Sequence, residues 1–240
     1  MEDYNPKISL ILPTYNESEC ILKMIEEAKI GLKKYNFEII VVDDNSPDQT
    51  WKIVKDLNDP NIKVIRRISV SGLASALVRG ISESSGDILI WLDCDMISGP
   101  KSFDSMIQKT KDYDLILASR YVTGSLDLRP NMRIITSRWM NSFAKLILGY
   151  GIKDYDSGFI VCRRSVLDNV IIIPRGYGQY CIELVYQCCK YGLKVIEMPY
   201  TLDDRDAGVS KSSTTTLTFL KLGLQYGLAI FKIKIKYLFK

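Results

Sequence analysis

The stretch "ILIWLDCDMISGP", Ile88 to Pro100, decides how the rest of the chain is read. An apolar run, Ile88 to Leu92, stops abruptly at Asp93, Cys94 and Asp95. A short continuous apolar run of this kind describes a strand covered on both faces. Alternation along extended chain would put Asp93 and Asp95 on the same side. Two carboxylates held that close repel unless something neutralises them. A solvated turn accounts for a lone Asp-x-Asp. A divalent cation held by hard oxygen ligands also accounts for it, and only the surrounding chain discriminates between the two.

Outward from this stretch the same pattern repeats. Ile8–Leu12, Glu38–Asp43, Ile62–Ile65 and Leu115–Ser119 read as strands. Cys20–Leu32, Thr50–Leu57, Leu73–Ser84 and Lys101–Thr110 read as the helices between them. Apolar strands alternating with helices predict a mostly parallel sheet with helices on both faces, a doubly wound α/β architecture. In such sheets functional residues collect beyond the carboxyl ends of the strands. Polar clusters fall there: "PTYNE" after the first strand, "DDNS" after the second, "DCDM" after the fourth and "SRY" after the fifth. Four loops converging on one rim say more than any one of them. Beyond Tyr121 the pattern predicts a helix from about Arg133 to Leu148, a strand and the start of a helix in "DYDSGFIVCRRSVL", a helix in "GYGQYCIELVYQCCKYG" and a strand over Lys194–Met198.

Composition narrows the chemistry. The chain has 240 residues, is 47% hydrophobic and contains no histidine. That apolar content excludes a disordered chain and suits one α/β domain with a small appendage. The six cysteines show no paired metal spacing, which argues against a zinc site, and free thiols in a reducing cytoplasm are expected. The absence of histidine removes every Ser-His-Asp scheme. No G-x-G-x-x-G follows the first strand, which argues against a dinucleotide-dependent dehydrogenase. The start of the chain, polar over Met1–Lys7 and apolar only over Ile8–Leu12, reads as no signal peptide.

Net charge is +4, unevenly placed. From Ala207 onward there are six lysines and no acidic residue, which leaves 26 basic against 28 acidic residues in the body. The apolar stretch Leu222–Phe231 is shorter than the ~20 residues that span a bilayer. The segment is expected either to lie in a membrane interface, with its lysines at anionic headgroups, or to pack on the body as a helix. A truncated anchor is a third possibility.

The motifs "LPTYNE" (Leu12–Glu17), "VVDDNSPDQT" (Val41–Thr50), "SGLASAL" (Ser71–Leu77), "GDILIWLDCDM" (Gly86–Met96), "ASRY" (Ala118–Tyr121), "RIITSRWMN" (Arg133–Asn141), "DSGF" (Asp156–Phe159) and "DRDAGVSK" (Asp204–Lys211) run in family order along nearly the whole chain. In them the chain resembles the inverting family-2 glycosyltransferases of the GT-A fold, and within these the dolichyl-phosphate mannose synthase group. The resemblance implies a Rossmann-like catalytic domain over 1–210 and a basic, apolar, membrane-associating segment over 211–240. It implies a sugar nucleotide donor, GDP-mannose, and a polyprenyl (dolichyl) phosphate acceptor at the cytoplasmic face of a membrane. The short tail leaves room for a small membrane-protein partner, and no nucleic acid is expected.

Residue by residue, Pro13, Tyr15 and Glu17 match donor-binding positions of the first loop, and Val42 and Asp44 the base-contacting part of the second. Asp93 and Asp95 match the metal motif for Mg²⁺ or Mn²⁺, with Cys94 between them in the donor loop and read as packing. Arg120, Arg205 and Lys211 match positions at the donor phosphates, where a guanidinium suits forked contacts and an ammonium a point charge. Arg133 and Ser137 match lipid-phosphate positions, four apart on one helical face. Asp95, Arg120, Arg133 and Ser137 are thus the implied catalytic group. Asp43 is the better structural cap, and Glu183 would be the base if the acceptor were a sugar hydroxyl. Three departures stand out: Ile97 where a polar residue is usual, Cys181 where glutamine is common, and Ala74 for a frequent glycine. The alternatives are a UDP-sugar donor, a saccharide acceptor, or a catalytically weak scaffold at a lipid surface.

Overall fold

The computed structural model describes residues 4–176, 178–202 and 216–238. Strands β1 (Ile8–Thr14), β2 (Phe37–Asp43), β3 (Ile62–Arg66) and β4 (Ile88–Trp91) alternate with helices α1 (Ile21–Leu32), α2 (Thr50–Asp56) and α3 (Leu73–Ser82). Then follow α4 (Phe103–Lys109), β5 (Leu115–Ser119), β6 (Leu126–Asp127), α5 (Asn131–Leu148), β7 (Ile160–Arg163), α6 (Gln179–Lys190), β8 (Val195–Pro199), β9 (Thr201–Leu202) and α7 (Thr216–Lys236). The expected elements are present, with ends displaced by one to a few residues.

Seven strands form one sheet in the order β3-β2-β1-β4-β7-β5-β8, and β6 pairs with β9 in a two-stranded ribbon. Only β7 runs antiparallel to its neighbours. The chain moves outward from β1 to β3 and then returns to place β4 on the other side of β1. That reversal opens a crevice at the carboxyl ends of β1 and β4, the usual ligand position in an open α/β sheet. The central strands are buried on both faces, as their unbroken apolar runs required: every residue of β4 and β5 is buried, whereas the edge strands β3 and β8 are only partly covered. Two large cores result, one on each side of the sheet.

Close packing at the amino end of β4 fixes where the rim at its other end lies. A methyl group on Gly86 would stand 2.5 Å from the Ser9 backbone nitrogen and 2.6 Å from its hydroxyl. Gly86 N–H donates to the Ser9 Oγ at 2.7 Å, and that hydroxyl donates to Glu38 at 2.6 Å.

The C-terminal helix resolves one alternative left open above, because α7 packs on the body. Tyr226, Ile230, Ile233 and Tyr237 are buried in the same core as Trp91 and Leu117. The Lys236 ammonium at its end and the Tyr237 hydroxyl just beyond it both reach Glu183 on α6, at 2.6 and 2.9 Å. Glu183 is therefore a partner for α7, not a free base. No helix among the described residues is long and apolar enough to cross a membrane.

Replacing Gly86 by alanine is expected to destabilise the protein by roughly 1–3 kcal/mol, because backbone rather than a movable side chain blocks the new methyl. Chemical denaturation checks this; an unchanged midpoint would show that the β1–β4 contact is looser than described.

Candidate active site

The rim loops are shaped by local chemistry before any ligand is considered. Asn16 and Asn45 adopt left-handed backbone angles, φ 54° and 56°, one in each of the first two loops. Asparagine tolerates that region better than most residues. Asp43, at the end of β2, is wholly buried. Its carboxylate accepts from Thr14 Oγ1 at 3.0 Å, Ser46 N–H at 2.8 Å and Ser46 Oγ at 2.6 Å. Ser46 Oγ in turn accepts the Asn16 N–H at 3.0 Å. Asp43 thus ties the first two loops together; the helix-capping role expected of it is not seen, since Gln49 precedes α2 without a side-chain cap.

Between these loops lies a cavity of about 660 Å³. Pro13, Tyr15, Glu17, Asp44, Asp93 and Cys94, all expected at the donor, line it. So does the segment Arg67–Leu73, which follows β3. Arg67 Nε donates to Asp44 Oδ1 at 2.6 Å, and the Gly72 N–H donates to Asp44 Oδ2 at 2.7 Å. Arg67 also reaches the Ser75 hydroxyl at 2.9 Å and the Gly72 carbonyl at 3.0 Å. One carboxylate at the cavity wall is therefore held in a fixed orientation. Arg67 was missed by the sequence reading, although its loop follows the third strand on the same rim and could have been counted with the other four.

Several expected residues stand elsewhere. Val42 does not reach the cavity; its side chain is fully buried and packs with Ile40 and Ala76. The chain is not extended at Asp93–Asp95: the strand ends at Trp91, and the Met96 N–H turns back to the Asp93 carbonyl at 3.0 Å. The alternation argument for those carboxylates therefore fails. Instead Cys94 points inward, 2% exposed and 3.5 Å from Cys20 Sγ, leaving a half-buried aspartate on each side. Asp93 lines the cavity and Asp95 does not. Ile97 packs against the core, so no side-chain oxygen replaces the polar residue expected there.

Arg120 is the largest correction. Its side chain is buried, and it donates to Asp154 through Nε at 2.8 Å and Nη2 at 2.6 Å, and to the Asp156 carbonyl at 2.7 Å. Burial alone would discourage its charge, but the Asp154 carboxylate outweighs burial and holds the guanidinium protonated. Arg120 anchors the loop 154–159 and is not an open phosphate contact. That loop brings Gly158 beside the rim, where an added methyl would lie 3.8 Å from Asp93 Oδ2. Arg133 and Ser137 stand together on α5, half-buried and outside the cavity lining. Ser137 Oγ accepts from the Tyr121 hydroxyl at 2.7 Å. Arg205 and Lys211 lie outside the described residues.

Asp156 is a second group that sequence reading did not single out as titrating. Burial pushes its carboxyl up to about 6, against the pull of Arg120. The Tyr226 hydroxyl of α7 bonds it and also accepts the Gly178 N–H at 3.1 Å. The C-terminal helix thereby touches the loop beside Asp93.

No three histidine, cysteine or carboxylate side chains among the described residues stand together as a metal cage. A magnesium-type ion does not require one, since it binds through one or two carboxylates and completes its shell with substrate phosphates and water. Asp93, which lines the cavity, and the half-buried Asp95 two residues on offer hard oxygens of the type such an ion takes.

Residues 9–171 match the family model described as glycosyl transferase family 2. The chain belongs to this family and is a glycosyltransferase. It is 36% identical over 216 residues to the dolichol-phosphate mannosyltransferase of Pyrococcus furiosus, covering 88% of this chain and 60% of that one. The chain therefore spans less than two thirds of that relative's length. It is 30% identical over 218 residues to the polyprenol monophosphomannose synthase of Mycolicibacterium smegmatis, covering 87% of this chain and 82% of that one. Among solved structures it superposes on glucosyl-3-phosphoglycerate synthase from Mycobacterium tuberculosis, in complex with Mg²⁺ and uridine diphosphate. That match has a TM-score of 0.70 at 19% identity, covering 95% of this chain and 79% of that one. It shares the GT-A fold.

The titration of Asp156 has a defined sign. Its folded value lies above the ~3.9 of a free aspartate, so the stability it contributes is complete below about pH 4 and is lost as pH rises through about 6. Relative to Asp156→Asn, the wild-type melting temperature should fall between these limits and then level off. A constant difference across that range would remove the buried-carboxyl assignment.

Proposed function

We propose that this family-2 glycosyltransferase moves mannose from GDP-mannose to a polyprenyl phosphate, with inversion, using Mg²⁺ or Mn²⁺. The observation that carries the reading is the rim cavity where Glu17, an oriented Asp44 and Asp93 converge. The naming of the relatives as polyprenyl-phosphate mannosyltransferases supports the sugar and the acceptor class.

In this reading the chain's own groups bind and orient. Asp44, pinned by Arg67 and the Gly72 N–H, accepts hydrogen bonds from a base that offers N–H donors, as guanine does. Pro13, Tyr15 and Glu17 form the facing wall. Asp93 and Asp95 hold the cation, which when bound stabilises charge on the departing diphosphate. Arg133 and Ser137 orient the lipid phosphate, and Arg205 and Lys211 close on the donor. A phosphate monoester has a second pKa of about 6, so it arrives largely ionised and needs placement more than a base. That suits a chain without histidine. The protein works from the cytoplasmic face as a peripheral protein.

A second reading keeps the fold and exchanges the donor, since uracil also presents an N–H to Asp44. Labelled GDP-mannose, UDP-glucose and UDP-N-acetylglucosamine, each offered with a short polyprenyl phosphate and Mg²⁺ or Mn²⁺, separate the two. A chloroform-soluble product from GDP-mannose alone is expected; product from a UDP-sugar alone would replace the donor. Asp95→Asn should cut metal-dependent turnover by at least ~100-fold with an unchanged melting temperature. Full activity in that variant would end the metal assignment. Arg133→Ala should impair lipid phosphate use more than donor binding.

A further inference from the structure

Two thiols meet behind the wall of the donor cavity. Cys20 immediately precedes α1 and Cys94 follows β4, 74 residues apart in the chain. The Cys20 thiol lies 3.5 Å from the Cys94 sulfur. Both thiols are free, and both pack in the core on the side of α1 and α4. Cys162, Cys181 and Cys188 are buried in the core on the other side of the sheet, and Cys189 packs against that core. Cys94 also lines the donor cavity, beside Glu17 and Asp93.

The surroundings of the pair give it more than a packing role. A buried cysteine behaves as a small apolar side chain, which accounts for Cys94 taken alone. It does not account for a second thiol placed against Cys94 and against a carboxylate of the cavity wall. The Cys20 thiol stands 3.2 Å from Glu17 Oε2 and 3.5 Å from the Glu17 carbonyl. Backbone hydrogen bonds hold both sulfurs in place. The Cys20 and Ile21 N–H groups donate to the Glu17 carbonyl at 3.1 and 2.9 Å, and the Met96 N–H donates to the Asp93 carbonyl at 3.0 Å. Cys20 is half-buried and Cys94 is 2% exposed, so an oxidant arriving from solvent meets Cys20 first. The sulfurs must close from 3.5 Å to the roughly 2 Å of a disulfide. In a reducing cytoplasm a bond of that kind is transient and senses oxidant; it is not a permanent staple.

We propose that Cys20 and Cys94 are an oxidisable pair, and that the disulfide between them weakens donor binding until it is reduced again. The oxidant is a peroxide. Cys20 is first converted to its sulfenic acid, with release of one water. The Cys94 sulfur then attacks the Cys20 sulfur; the S–S bond forms, and the hydroxyl leaves with the Cys94 proton as a second water. The two thiols together give up two protons and two electrons to the peroxide. A small dithiol reverses the bond by exchange. The crosslink removes the proton that Cys20 offers Glu17 and draws the Asp93–Asp95 turn toward α1. Its effect on the donor rests on the proposed function; its formation does not.

The test treats the full chain with hydrogen peroxide and reads mass and nucleotide binding, before and after dithiothreitol. The mass should fall by two hydrogens, and an unreduced tryptic digest should show peptide 8–23 joined to peptide 80–101. Binding of GDP or UDP with Mg²⁺ should weaken by at least about tenfold, in keeping with the cost of moving site groups by about 1 Å, and should return on reduction. Cys20→Ser keeps a hydroxyl beside Glu17. It should bind nucleotide as the reduced wild type does and lose the response to peroxide. Oxygen added at Cys20 with no joined peptide, or a different pair of cysteines joined, would overturn the proposal. So would a joined peptide with unchanged nucleotide binding, or an equal peroxide-induced loss in Cys20→Ser. If neither nucleotide binds the reduced protein, the donor reading fails, and the joined peptide still decides whether the pair forms.

Discussion

The ion pair between Arg120 and Asp154 holds the two halves of the molecule in one relation. Arg120 leaves the end of β5; Asp154 begins the loop that leads into β7, the single antiparallel strand. Both side chains are buried, 7% and 0% exposed, so their desolvation is costly. The cost is offset by saturation: Asp154 accepts the Arg120 N–H as well as the guanidinium, and its own N–H goes to Glu197. Removing one partner would strand a charge in the core, typically worth 3–5 kcal/mol. A pair of that kind adds little net stability over an apolar substitute, but it specifies one arrangement. Here it sets where Gly158 passes Asp93 and where Asp156 meets Tyr226.

A second constraint, the Asp43 carboxylate, acts on the donor side. It joins the ends of β1 and β2 through Thr14 and Ser46. With those loops fixed, the mobile part of the problem shrinks to one wall, and Arg67 fixes that wall by holding Asp44. The rim therefore presents preoriented acceptors and carboxylates, so a ligand would meet a site with little left to organise. The absence of histidine suits this arrangement, because placement rather than proton abstraction is what a phosphate nucleophile requires.

The outer face of α5 and the exposed side of α7 add a different logic. Their inward residues complete the core, and their outward residues remain apolar without being needed for it. α5 thus carries Arg133 and Ser137 on one side and Arg138 and Lys145 on another, with Tyr121 touching Ser137 and Arg138.

The sequence by itself determined the doubly wound sheet, the strand ends that carry polar loops, and the family, because unbroken apolar runs and rim motifs are local signals. It also located Glu17, Asp44 and Asp93, since side chains at strand ends in a parallel sheet meet on one rim wherever the strands lie. Partner choice was decided only by the tertiary structure. Arg120 in "ASRY" reads as a phosphate contact until Asp154, thirty-four residues away, is seen to occupy it. Arg67 reads as one basic residue among many until it is found holding Asp44. Val42 is indistinguishable from a wall residue until its side chain is seen to face α3. The tail could be interfacial or packed on composition alone, and the fold made it packed on one side and exposed on the other. Periodicity reports which residues share a face; it carries no information about which distant charge that face will meet.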